Sequence, residues 1–392
     1  MIANDDIAAL LEHLAWPRGR DIPGVELPAW LERLARVAAQ RGAGELGELA
    51  AAVVRDPDSP DRLYALGYAL IDAGAPAMAA SVLWHCLALV GDSEEVVCEL
   101  VSALESALAY RDAFAILDAH PELRARSFLC RYLHAFDAAM IGSLSVTRAA
   151  LAELVADSPD TEAMRATIEA IVARGDRVAG ACPLDGADLR GWHYVLAGGL
   201  LLHQSPYGFA EPMRGRYAYL HDSNERVAFG LERLVALVRA AGEPVPCVYA
   251  PPGPDHEAVA RVLATKLAVP LAPWPAVGTP APGIVALYDL ARLPAAEVPR
   301  LVQRRAGQIL FAHASPWTRD SPIAPDVTTL LYQTLDPPDR LDQLASAAAL
   351  PADDLATDEP DRYAALVAHA WPLSPGPRAR LWAGGPVASN RF

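Results

Sequence analysis

Leu49, Leu83, Leu117 and Leu151 stand thirty-four residues apart. No other feature constrains the fold of this chain so tightly, because self-similarity at a fixed period of roughly 20 to 50 residues marks a stack of repeated supersecondary units. Residues 61–92 read DRLYALGYALIDAGAPAMAASVLWHCLALVGD. Leu63, Leu66 and Leu70 fall on one face of a helix. Gly67, on the same face, allows a neighbouring helix to come close. Gly74 stops the helix and turns the chain. Ala79, Leu83 and Cys86 then mark the inner face of a second helix. A pair of short helices cannot bury such a face alone, so each pair is expected to stack on the next.

The following unit, 94–126, keeps Val97, Leu100, Leu104, Ala113 and Leu117, has Val101 where its predecessor has Gly67, and closes on His120-Pro121. The flanking units, 28–58 and 127–160, keep the length and the leucine and end in DPDSPD and DSPD, which read as turns capped by Asp or Ser. The series Leu63, Leu66-Gly67, Leu70, Ala79, Leu83, Cys86 resembles the tetratricopeptide repeat, over roughly a third of the chain. That resemblance implies a solenoid of helical hairpins whose concave groove binds a partner protein or peptide. Polar side chains of the first helices would line the groove: Tyr64, Tyr68, Glu99, Arg131 and His134. A plain antiparallel helical bundle is the alternative that the residues leave open.

After about residue 180 the pattern changes. GWHYVLAGGLLLH is a continuous apolar run and reads as a first strand; RYAYLHD reads as another. SNERVAFGLERLVALVRAAG is an amphipathic helix capped by Ser223 and ended by Gly242. PVPCVYAP (strand), GPDHEAVARVLATKLA (helix), GIVALYDL (strand), AAEVPRLVQRRAG (helix), QILFAHAS (strand) and TTLLYQTL (strand or helix) follow. Strand and helix in alternation predict a Rossmann-like, mostly parallel α/β domain. The expected division is an N-terminal helix and linker over 1–27, a helical repeat domain over 28–178, an α/β domain over 185–337, and a helical, Pro- and Gly-rich tail over 338–392 that contains PADDLATDEPD.

The formal charge of −15, from 33 basic and 48 acidic residues, argues against a nucleic-acid binder, which needs a basic stripe. The N-terminus is acidic and amphipathic, unlike a signal peptide, and no apolar run approaches the ~20 residues that span a bilayer. The five cysteines are scattered and form no C-x-x-C pair, as expected of thiols in a bacterial cytoplasm. His256-Glu257 opens like a zinc-protease helix, but Ala260 stands where the second histidine belongs, so no metal site of that type is expected. No nucleophile elbow, phosphate loop or dinucleotide fingerprint is present.

In a parallel sheet ligands sit beyond the carboxyl ends of the strands. APPGPDHE, YDLARLPA and HASPWTRDSP occupy those places. Candidate acid/base groups are His193, His203 and His221, oriented by Asp222 or Asp289, with Asp289 near the ligand; candidate ligand-binding residues are Tyr207, Asp255, His256, His313 and Ser315. VPCVYAPPGPDHEAVARVLATKLAVPL resembles the strand, loop and helix of a phosphoribosyltransferase-like domain. That family would follow its next strand with two acidic residues and a Thr- and Gly-rich turn, whereas IVALYDLARLPAAEV offers only Asp289 and then Leu, Ala and Arg. The resemblance therefore implies an absent or altered activity. The leading expectation is a cytoplasmic repeat protein that binds a partner, with a ligand-binding or degenerate enzyme-like α/β module. The rival is a transferase or hydrolase of a phosphorylated or glycosylated small molecule or carrier-bound substrate.

Overall fold

The computed structural model describes residues 4–207, 213–348, 360–371, 373 and 375–389. Gly208 and Phe209, and all but the last two residues of PADDLATDEPD, lie outside them. The chain divides into two compact units, Met1–Ile168 and Glu169–Phe392.

The first unit is a run of packed helix pairs. After α1 (Asn4–His13) come α2 (Leu27–Gln40) with α3 (Gly44–Arg55), α4 (Pro60–Asp72) with α5 (Pro76–Val90), and α6 (Glu94–Ser106) with α7 (Tyr110–Asp118). The short α8 (Pro121–Arg126) then leads to α9 (Phe128–Met140), which pairs with α10 (Leu144–Glu153). The four leucines of the 34-residue period fall in α3, α5, α7 and α10, the second helix of each pair. The period is also written into the backbone. Gly42, Gly74, Leu108 and Gly142 all take positive φ, and the next residue's N–H reaches back to a carbonyl in the preceding helix: Ala43 to Ala38, Ala75 to Leu70, Ala109 to Leu104, Ser143 to Ala138. This is one left-handed helix terminator used four times. Three positions carry glycine, which reaches that conformation without a side-chain penalty.

Leu63, Leu66, Gly67, Leu70, Ala79, Leu83 and Cys86 are all buried between α4 and α5, on the face that the sequence predicts. A Cβ on Gly67 would stand 2.5 Å from Cγ of the fully buried Leu83. Alanine favours a helix over glycine by about 0.5–1 kcal/mol, but overpacking costs about 1–3 kcal/mol. Gly67→Ala is therefore expected to lower stability, by about 1–2 kcal/mol net. Hydrogen exchange of α4 and α5 amides checks this; slower exchange in the variant would show that the contact tolerates a methyl group.

The second unit is built on a parallel sheet. Its strands are β1 (Leu200–Leu201), β2 (Tyr217–His221), β3 (Val248–Tyr249), β4 (Leu271–Ala272), β5 (Gly283–Asp289), β7 (Gln308–Pro316) and β8 (Val327–Asp336). The order is β1-β8-β7-β5-β3-β4, with β2 also on β8, further along the same strand, and every pair is parallel. Val285, Leu287, Leu310 and Ala312 pack with Ala197, Leu301 and Leu381 on one face. By strand alternation Ile284, Ala286, Tyr288, Phe311 and His313 point to the other. There α13 (Asn224–Ala241) and α14 (Pro254–Leu267) cover the sheet. Gly230 of α13 lies so close that an added Cβ would meet Thr329 Oγ1 at 2.5 Å and His313 Nδ1 at 3.0 Å. Ser223 caps α13 through the Arg226 amide, and Gly242 ends it in a left-handed turn.

Two local expectations are corrected. The apolar run in GWHYVLAGGLLLH is mainly helix: α12 spans Leu189–Ala197, and only Leu200–Leu201 is strand. Asp188 caps it by accepting from the Gly191 amide, and Gly198 at φ +75 stops it. The run is buried on all sides, so apolar periodicity could not separate strand from helix. AAEVPRLVQRRAG does not form one helix. It breaks into a 3-10 turn (Ala295–Glu297), the five-residue α15 (Val298–Val302) and β6 (Gln303–Arg304), with Pro299 admitted only in the first turn. The described part of the tail packs onto the α/β unit. β9 (Gly376–Pro377) pairs antiparallel with β6, and Leu381 exchanges backbone hydrogen bonds with Ser321. TTLLYQTL, open between strand and helix, lies in β8.

Candidate functional site

The chain leaves β3 through α14 to reach β4 on one side, and leaves β5 through α15 to reach β7 on the other. The carboxyl ends of β3 and β5 are thus the point where the connections diverge, the usual place for a crevice in such a sheet. APPGPDHE and YDLARLPA meet there: Arg292, after β5, is ion-paired with Asp255 in the first turn of α14. His256, next to it, turns inward and accepts the Tyr288 amide at Nδ1, 3.1 Å away. Burial pulls its pKa down, so the ring is neutral and carries its proton on Nε2. Asp289 ends β5, and its Oδ1 accepts from the Ala291 amide (2.9 Å) and the Tyr332 hydroxyl (2.8 Å). Burial raises the Asp289 pKa, against the opposing pull of those donors and of Arg292 and Arg319.

Behind this crevice lies a sealed polar network. Asp222 Oδ2 accepts from the Tyr288 hydroxyl (2.9 Å) and from His313 Nε2 (3.1 Å), while Arg226 approaches Oδ1 at 3.5 Å. Tyr288 and His313 are 0% exposed and Asp222 is 2% exposed, so no substrate reaches them in this conformation. Burial would raise the Asp222 pKa. His313, the Ser223 amide and the Tyr288 hydroxyl outweigh it and hold the carboxyl below its ordinary value. Burial and the Asp222 charge push the Tyr288 phenol well up, which keeps it a donor.

The structure separates the other expected residues. His193 lies on α12, not at a strand end. It faces a cavity of about 30 Å³ walled by Trp192, Trp317, Trp382 and Arg216. Burial and the Arg216 charge drive its pKa down to about 4, and its Nε2 has no hydrogen-bond partner among the described residues. His203 follows β1 and bonds the Tyr217 hydroxyl at 2.7 Å. His221 ends β2 and pairs with Asp336 in solvent. Among the described residues no hydrogen bond joins any two of these three histidines. Tyr207 is 73% exposed, and its amide is capped by Ser205. Ser315 is buried against the Thr328 hydroxyl at 3.1 Å.

Sequence reasoning passed over Tyr288, Arg292 and Tyr332. The signal for the two tyrosines is a phenol inside a buried stretch of strand, since a buried hydroxyl must find a partner. Asp222 was legible only as a helix-flanking or orienting carboxylate; its partners come from β5 and β7, distant in sequence.

In the helical unit, Leu46, Leu49, Tyr64, Tyr68 and Asp72 line a groove of about 940 Å³ formed by α3, α4 and the turn at Gly42–Glu45. Tyr68 is 52% exposed. Burial raises the Tyr64 pKa, and the charges of Glu99 and Glu95 add to it, so the ring stands in a negative field. Arg131 and His134 are committed elsewhere. Arg131 donates to the Arg124 and Ala125 carbonyls, and His134 stacks on Phe114 at 4.7 Å beside Arg124.

Among the described residues no helix is long and apolar enough to cross a membrane, and no group of three or more His, Cys, Asp or Glu side chains is placed to hold a metal ion. Comparison of the chain with protein-family models, with curated proteins and with solved structures finds no match.

Proposed function

We propose that this protein is a binding protein whose helical unit, read as tetratricopeptide-like repeats, takes an extended or helical segment of a partner protein in the groove lined by Tyr64 and Tyr68. The observation that carries the reading is the groove itself. It is an apolar trough with two tyrosines on its wall, one of them half exposed, and among the described residues Glu45 and Asp72 are its only charged lining residues. Aromatic side chains at the centre of a recess are where interface energy concentrates. The acidic lining selects a partner segment with an apolar or aromatic anchor flanked by Lys or Arg.

The α/β unit is proposed as a degenerate enzyme-like module. The N-terminus of α14, a helix end of the kind that can hold an anion, already holds Asp255 and Glu257, with Arg292 paired to Asp255. Those carboxylates compete with an anionic ligand for the same helix end.

A peptide-display selection against the full chain tests the groove. Selected peptides are expected to be basic around an apolar anchor, and Tyr68→Ala is expected to weaken them about tenfold or more in fluorescence anisotropy. Tyr68 contributes little to the core, so this variant keeps the fold. Peptides that bind Tyr68→Ala as tightly as the parent would overturn the reading.

A further inference from the structure

Asp255, Glu257 and Asp289 stand near the carboxyl ends of β3 and β5, with Arg292; the amino edge of the sheet carries the opposite balance. Beyond the amino ends of β1 and β8 the α/β unit forms a cavity of about 310 Å³. Among the described residues its charged lining is Arg174 and Arg177 of α11 (Pro159–Val178), Arg304, Arg378 and one acid, Asp326. Four guanidinium groups against one carboxylate is an unusual local balance in a chain of formal charge −15.

Asp326 is fully engaged. Its Oδ1 lies 2.9 Å from Arg304 Nε, and its Oδ2 accepts from Arg378 Nη2 (2.8 Å) and the Leu310 amide (2.7 Å). It offsets one positive charge of that pair and leaves nothing for the other two arginines. Arg174 donates through Nε and Nη2 to the Val195 and Leu196 carbonyls at the end of α12, at 2.7 and 2.9 Å. Arg177 reaches the Tyr194 hydroxyl at 3.3 Å. Among the described residues neither has a carboxylate within ion-pair distance. Burial and the neighbouring Arg177 charge pull the Arg174 pKa down to about 10. Two guanidinium groups that repel one another beside a recess gain most from an anion held between them.

We infer that this cavity binds a small phosphorylated ligand, a phosphate or diphosphate ester, through Arg174 and Arg177, with Arg304 and Arg378 contributing positive field behind them. The volume sets the size. It is about ten times the share of a liquid water molecule (~30 Å³) and at the lower end of ligand pockets, which suits a phosphoryl group on a small carrier and not an oligonucleotide. Ala170, Ala173 and Ala324 give the remaining wall an apolar character suited to the carrier.

The test is calorimetric titration of the full chain with inorganic pyrophosphate at constant ionic strength, followed by hydrogen exchange to locate the ligand. Saturable binding is expected, with slower exchange in α11 and in the segment around Arg304. Arg177→Ala is expected to weaken it about tenfold or more while leaving circular dichroism and ligand-free melting unchanged, because Arg177 is exposed and bonds only the Tyr194 hydroxyl. Arg174→Gln gives a second reading with the side-chain volume largely kept. Absence of saturable binding overturns the inference. So does binding that survives both variants and is lost in Arg292→Ala, which would put the anion at the carboxyl edge.

Discussion

Asp222→Ala is expected to destabilise the α/β unit by about 3–5 kcal/mol, the cost typical of removing one partner from a buried charged network. The carboxylate is the shared acceptor for the Tyr288 hydroxyl and His313 Nε2 and the nearest anion to Arg226. Alanine would leave the two fully buried donors without an acceptor, in a space that α13 closes over at Gly230. Asp222→Asn should cost less, since the amide keeps one acceptor oxygen; it loses the charge that favours two donors on one atom. The pH dependence follows from the lowered carboxyl pKa. The native state binds the proton less readily than the unfolded chain, so Asp222 contributes stability above the ordinary Asp value. That contribution fades as pH falls through the folded value. Native-state hydrogen exchange of β5, β7 and β8 amides reads the effect within this unit alone. An Asp222→Ala protein whose strand amides exchange as slowly as the parent's would show that the network is dispensable.

Asp137→Asn should act in the opposite direction. Asp137 is 0% exposed in α9, against Glu105 of α6. Burial, then the Glu105 charge and hydrogen bond, raise its pKa well above the ordinary value, so the folded protein holds a proton that the unfolded chain releases near pH 4. The sign is therefore reversed relative to Asp222. Between the unfolded and folded pKa values, stability falls by about 1.4 kcal/mol for each unit that pH rises. Asparagine is neutral at every pH and has no proton to retain. The variant is expected to match the parent near pH 4 and to gain on it as pH rises, so that it is the more stable protein at pH 8. Exchange of α6 and α9 amides at the two pH values measures this. An Asp137→Asn protein less stable than the parent at pH 8 would mean that the carboxylate is ionised and held by partners.

The 34-residue leucine period gave the helix pairs and even the inner face of α4 and α5, because both are local consequences of turn length and a 3.6-residue period. It could not show Asp137, whose neighbour Glu105 is thirty-two positions away on another helix. The strands β5 and β7 were legible as apolar runs bounded by turn residues. The segment that became α12 was not, because a stretch buried on every side carries no periodic signal and Asp188 and Gly198 decide its state.

Local chemistry thus determined the elements of this protein: a helical half and an alternating half, the caps at Ser223 and Gly242, and the absence of familiar phosphate and nucleophile motifs. Tertiary structure decided which polar groups meet. His193, His203 and His221 look equivalent in the sequence. The fold buries the first beside three tryptophans, ties the second to Tyr217 and leaves the third in solvent. Arg174, Arg177, Arg304 and Arg378 are spread over some two hundred positions, and only the closing of β6 on β9 and the docking of α11 on α12 bring them to one cavity. The physical reason is range. Helix caps and apolar periods act over one or two turns of chain, whereas a charge is read by whatever the fold places within a few ångströms of it.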